Sequence, residues 1–186
     1  TRTLRGMPSS VSVPVCGLAP SVTQPAVDPI PRDEWYMKLV NRDNVLTSDF
    51  TVETAKCSDG VDVDARIVDA LNQMIADAKA AGMNVFVKTG YRTYAKQNSI
   101  YQYQVSQQLA AGKTQAEAEA AAALITAPAG ASEHNLGLAV DILSNTYPNY
   151  EDGFATSAEA QWLADNAAKY GFILRYPADK ESVTGF

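Results

Sequence analysis

The 186-residue sequence contains one histidine, His134, and two cysteines, Cys16 and Cys57. Two cysteines are too few for a disulfide scaffold or a four-cysteine zinc site. A Cys16–Cys57 bridge pinning the N-terminal segment and a pair of free thiols both stay open, because spacing alone carries no geometry. No apolar run approaches the roughly 20 residues that cross a bilayer. No basic stripe is present, and the formal charge is −6, from 15 Lys and Arg against 21 Asp and Glu. Nucleic-acid affinity rests mainly on phosphate neutralisation, so nucleic acid is not an expected partner. A G-x-S-x-G elbow is missing, and Ser132 and His134 are only two positions apart, which gives little basis for a serine hydrolase. The sequence starts at Thr1 and shows no signal peptide, as a processed or recombinant form would. It also lacks an internal repeat.

Hydrophobic residues make up 46% of the chain, enough for one domain stabilised by burial. Six of the nine prolines lie between Pro8 and Pro31. Each fixes φ and removes an N–H donor, so residues 1–32 read as an extended linker or leader, with a folded domain over 33–186. The leader is either a cloning remnant or a spacer that holds the domain off a membrane.

Apolar residues Ile67, Leu71, Met74, Ile75 and Ala78 recur at helical spacing. They predict a helix from about Val61, capped by Asp62 or Asp64 and stopped at Gly82. Asn84–Thr89 is a short β-prone run. A second helix is expected over Tyr94–Ala110, ended by Gly112. Thr114 with Glu117 gives a capping-box pattern for an alanine-rich helix to Ile125. A strand is expected at Leu138–Leu143, a helix with Thr156 and Glu159 as its capping pair, and a last strand at Phe172–Arg175. No two strand runs lie close enough for a tight hairpin. The fold class is therefore α+β, helices packed on a small sheet.

The chemistry concentrates in Ser132–Asp141, SEHNLGLAVD. Asp141 sits in an apolar run, where an ionised carboxylate needs a cation or several hydrogen bonds. His134 is a nitrogen donor suited to zinc. The two are seven positions apart, an odd separation that puts them on opposite faces of one straight strand. They converge only if His134 precedes the strand and Gly137 turns the backbone. Taken alone, the pair reads more readily as a surface histidine and an aspartate bonded to amides or an arginine.

The surrounding residues change that balance. S-x-H-x-x-G-x-A-x-D resembles the signature of the zinc peptidases that include the VanY-type D,D-carboxypeptidases and their L,D-carboxypeptidase relatives. TGYRTYAKQ (89–97), PAGASEH (128–134), WLADNAAKYGFILRYP (162–177) and the K-E-x-x-T-G-aromatic run at Lys180–Phe186 are similar to further family segments. EWYMKLVNRDNVL near the start has the same look, so the resemblance spans about 33–186. It implies a small, mainly antiparallel sheet with packed helices, as in the Hedgehog/D,D-peptidase zinc fold. It also implies Zn2+ held by His134 and Asp141, with Arg92 as the catalytic residue that supports the oxyanion. Ser132, Gln97 and Tyr91 are then substrate-binding, and Tyr94 and Tyr101 are further candidates for the pocket wall. The implied partner is a peptidoglycan stem peptide, met outside the cell at the envelope, where a membrane tether upstream of the domain fits the leader. Glu133 is not the catalytic base in the family pattern.

Zinc peptidases need three protein ligands and a carboxylate base. In the family the third ligand and the base come from an E-x-W-H segment soon after the T-G-aromatic run, and this sequence ends at Phe186. The reading is a catalytic domain truncated at its C-terminus. A non-catalytic muropeptide-binding relative, or a site completed by another residue or chain, are the alternatives.

Overall fold

The computed structural model describes residues 35–150 and 152–175. The Pro-rich segment, Cys16 and the K-E-x-x-T-G-aromatic run lie outside the described residues.

Four short strands form two antiparallel pairs: β1 (Thr54–Lys56) with β2 (Asp62–Asp64), and β3 (Val85–Thr89) with β4 (Asp141–Ser144). Between and after them lie helices α1 (Val68–Ala80), α2 (Tyr94–Ala110), α3 (Gln115–Ile125) and α4 (Ala158–Asn166). The α+β expectation holds, with two small sheets in place of one. The β1–β2 hairpin was not foreseen. Ser58-Asp59-Gly60 makes its turn, with Gly60 at φ 79°, Gly60 N–H donating to Cys57 O, and Cys57 N–H to Val61 O. Pairing Thr54↔Asp64, Ala55↔Val63 and Lys56↔Asp62 claims the residues expected to begin the first helix. The helical segment therefore starts with a 3₁₀ turn at Ala65–Ile67, capped by Asp64, whose carboxylate accepts from Arg66 N.

The main core forms where α1 packs on β3 and β2. Leu71, Met74, Ile75 and Ala78 meet Val63, Val85, Val87 and Cys57, while Trp162, Leu163 and Tyr170 close the other side. Each fully buried aliphatic side chain here contributes roughly 1.5–3 kcal/mol. Helices α2 and α3 pack on each other through Val105, Ala118, Ala122 and Tyr101. Their bounds match the sequence reading, and the Thr114–Glu117 capping box is formed in both directions.

Three details differ from expectation. Strand β4 begins at Asp141 rather than Leu138, because Leu138 packs with Leu136, Val40, Leu46 and Phe50 behind the site. The cap of α4 is Ser157, accepting from Ala160 N, while Thr156 Oγ1 donates to Gly153 O. Phe172–Arg175 is not a strand: Ile173 and Leu174 are exposed, and the segment has no ladder partner among the described residues.

Candidate active site

The predicted site residues come together in one cleft of about 1020 Å³. Its floor is the end of β3 and the start of β4. One wall is α2 with the end of α3, the other the β1–β2 turn. His134, Asp141, Arg92, Gln97, Ser132 and Tyr91 all line it. Tyr94 does not, and Tyr101 is spent on helix packing, its hydroxyl donating to Glu119 O at 3.2 Å.

His134 sits in a 3₁₀ turn, Glu133–Leu136, that precedes β4, as convergence required. Gly137 ends the turn at φ 73°, a left-handed conformation that suits glycine. Its carbonyl accepts from Asp64 N at 3.0 Å, which ties the turn to β2. A Cβ there would lie 2.9 Å from that nitrogen. Asn135, buried, donates to Arg92 O at 2.6 Å and accepts from Gly130 N at 3.1 Å. Arg92 N–H in turn donates to His134 O at 3.0 Å. The main chains carrying His134 and Arg92 are thus braced against each other.

The His134 Nδ1 lies 2.8 Å from Gly90 O. A carbonyl only accepts, so Nδ1 carries the proton and, in the neutral ring, Nε2 presents its lone pair. That nitrogen faces Asp141 Oδ1 at 3.5 Å. Burial pushes the Asp141 carboxyl up, but a protonated His134, through its hydrogen bond and charge, the Tyr150 hydroxyl and the Arg92 charge outweigh it. The group is held below its ordinary value. A lone pair facing an ionised carboxylate calls for a proton or a cation between them. Imidazole nitrogen plus carboxylate oxygen is also a fitting donor pair for zinc. Among the described residues no group of three or more His, Cys, Asp or Glu side chains could hold a metal, so these residues offer two ligands of a three-ligand site.

The other Asp141 oxygen, Oδ2, lies 3.3 Å from Arg92 Nη2. Arg92 Nη1 donates to Gln97 Oε1 at 3.2 Å, and Gln97, almost fully buried, donates to Ala127 O at 2.7 Å. The guanidinium is therefore held in place from two sides. Glu133 is engaged by Arg175 Nε at 2.8 and 3.0 Å. Sequence reasoning missed Tyr150, whose hydroxyl donates to Asp141 Oδ2 at 3.0 Å. Desolvation local to the hydroxyl, partly offset by Thr89, and the Asp141 charge keep that phenol above its usual value and so protonated, although the residue as a whole is mostly exposed. Its sequence neighbourhood, a Tyr-Pro-Asn-Tyr loop, gave no signal.

The chain belongs to the VanY D-alanyl-D-alanine carboxypeptidase family, which matches residues 60–186. A D-alanyl-D-alanine carboxypeptidase of Enterococcus faecalis is 40% identical over 153 residues, covering 82% of this chain and 55% of that protein. The chain thus spans about half the length of that relative. The solved structure of an alanine-substituted vancomycin-resistance D,D-pentapeptidase VanY, in complex with Zn(II), is similar at TM-score 0.68 and 39% identity. The match covers 82% of this chain and 83% of that one. VanYB in complex with D-alanine-D-alanine gives TM-score 0.69 at 39% identity, over 82% and 81% of the two chains.

Proposed function

We propose that this chain is a zinc-dependent carboxypeptidase domain that removes a C-terminal D-alanine from peptidoglycan stem peptides at the outer face of the cell. The observation that carries the reading is His134 Nε2 facing Asp141 Oδ1 at 3.5 Å inside a cleft that also holds Arg92. The Zn(II) and D-alanine-D-alanine bound by relatives of 39% identity support the metal and the substrate class.

His134 and Asp141 would hold the zinc, with a third ligand from beyond the described residues. Bound there, zinc supplies Lewis-acid polarisation of the scissile carbonyl and lowers the pKa of a water. Arg92, permanently charged and fixed by Gln97, is placed to stabilise negative charge developing on the peptide oxygen or to hold the terminal carboxylate. Gln97 holds Arg92 in position and bounds the pocket. Ser132, buried but lining the cleft and with a side chain that does not cap the turn it precedes, supplies a hydroxyl for the peptide. Tyr91, its N–H tied to Asp62 O, walls the opening. In the family pattern the catalytic base would be the glutamate of the E-x-W-H segment.

The test measures zinc content and D-alanine release from a synthetic peptide ending in D-Ala-D-Ala, for the native protein and Asp141→Ala. Zinc-dependent release that disappears in the variant, together with its metal, supports the reading. Unchanged metal content and turnover in Asp141→Ala would sink it. Peptide binding without release favours a non-catalytic muropeptide binder, and release only from peptides ending in a single D-alanine favours L,D-specificity.

A further inference from the structure

Tyr150 lies nine positions beyond Asp141, on the loop that follows β4, and the residue is 67% exposed. So exposed a residue contributes little packing. Its hydroxyl nevertheless reaches two partners: Asp141 Oδ2 at 3.0 Å and Thr89 Oγ1 at 2.9 Å. An ionised carboxylate only accepts, so the phenol donates to Asp141. The Thr89 hydroxyl then donates to the phenol oxygen, giving a directed chain Thr89 to Tyr150 to Asp141.

The strands supply this chain. Val87 pairs with Ile142 and Thr89 with Asp141, so β3 carries one extra residue, Lys88, against β4. In an unbroken ladder Lys88 would stand opposite Asp141 and Thr89 would share the face of Val87. The bulge brings Thr89 round to the face of Asp141 instead.

We infer that Tyr150, steadied by Thr89, is a positioning residue for Asp141, occupying Oδ2 so that Oδ1 stays turned towards His134 for the ion. This rests on the reading of His134 and Asp141 as zinc ligands. The terminal torsion of an aspartate is broad and nearly two-fold, so the carboxylate needs an external constraint to keep one oxygen forward. Arg92 alone is a poor constraint, since a guanidinium can take both oxygens of a carboxylate as a fork. With Tyr150 on Oδ2, that fork is opposed and Oδ1 is kept for the metal. Such partners of metal ligands typically govern 10–100-fold in metal affinity.

The experiment is a zinc titration against a competing chelator, with thermal unfolding of the metal-free protein and steady-state kinetics alongside. Tyr150→Phe is expected to weaken zinc about tenfold, with the metal-free melting temperature and the KM of the zinc-saturated enzyme unchanged. Thr89→Val should move zinc affinity the same way by a smaller factor. Zinc affinity unchanged in Tyr150→Phe overturns the inference while leaving the proposed function standing. A raised KM at unchanged zinc affinity also overturns it, since it makes Tyr150 a substrate contact. A native protein that takes up no zinc overturns the zinc reading itself and this inference with it.

Discussion

At the residue scale, Arg92 does two separable jobs. Its main chain braces the His134 turn in both directions, through Arg92 N to His134 O and Asn135 Nδ2 to Arg92 O. Its side chain spans from Gln97 to Asp141. Substitution leaves the first job intact and tests the second. Arg92→Lys keeps a positive charge but loses the planar fork. We expect kcat/KM for a D-Ala-D-Ala peptide to fall on the order of 10²-fold, as for loss of one oxyanion donor, with zinc content retained. Loss of zinc together with activity would mean that Arg92 serves the metal ligands rather than the substrate. That His134, Asp141 and Arg92 meet in one cleft was legible because the letters around them resemble a family pattern. Tyr150 was not, because its part depends on a loop folding back over β4, which no local spacing encodes.

At the element scale, the turn between the 3₁₀ segment and β4 decides whether His134 and Asp141 can meet at all. Gly137 is its pivot, at φ 73° and pressed against Asp64. Gly137→Ala would add backbone strain and a contact at 2.9 Å to a main-chain nitrogen that cannot swing aside. We expect a stability loss of about 1–3 kcal/mol, read as a lower melting temperature, together with weaker zinc uptake. A melting temperature equal to that of the native protein would show that the turn can relax, against this account. Helices α2 and α3 were legible to the residue because Thr93 and Thr114 cap them and Gly112 separates them. The β1–β2 hairpin was illegible for the opposite reason. Three-residue strands are too short to show alternation, and Val61–Asp64 runs directly into a helical apolar pattern that masks it.

At the scale of the whole molecule, one buried carboxylate links the hairpin, the first helix and the site. Asp64, 1% exposed, caps the 3₁₀ turn, accepts from Arg66 Nε at 2.8 Å, and donates its own N–H to Gly137 O. The Arg66 side-chain hydrogen bond lowers the Asp64 carboxyl, winning over the burial that raises it. A carboxyl depressed in the folded state adds stability that is fully present above its unfolded value, about 3.9, and lost as pH falls through the folded one. Thermal unfolding should therefore show a decline below about pH 4, in which Asp64→Asn, less stable at neutral pH, converges on the native protein. A gap between the two that stays constant down to pH 2.5 or so would remove Asp64 from the acid response. Distances along the chain matter at this scale as well. The extra residue at Lys88 lies between the Val87–Ile142 and Thr89–Asp141 rungs of the β3–β4 ladder, where one residue of strand is worth about 3.3 Å. Removing it would leave Thr89 opposite Asp141 but take away the local bend and added twist that a bulge gives the strand, and so re-aim the Gly90 carbonyl that meets His134. Position 88 is therefore a spacer, where the count of residues is under tighter constraint than their identity.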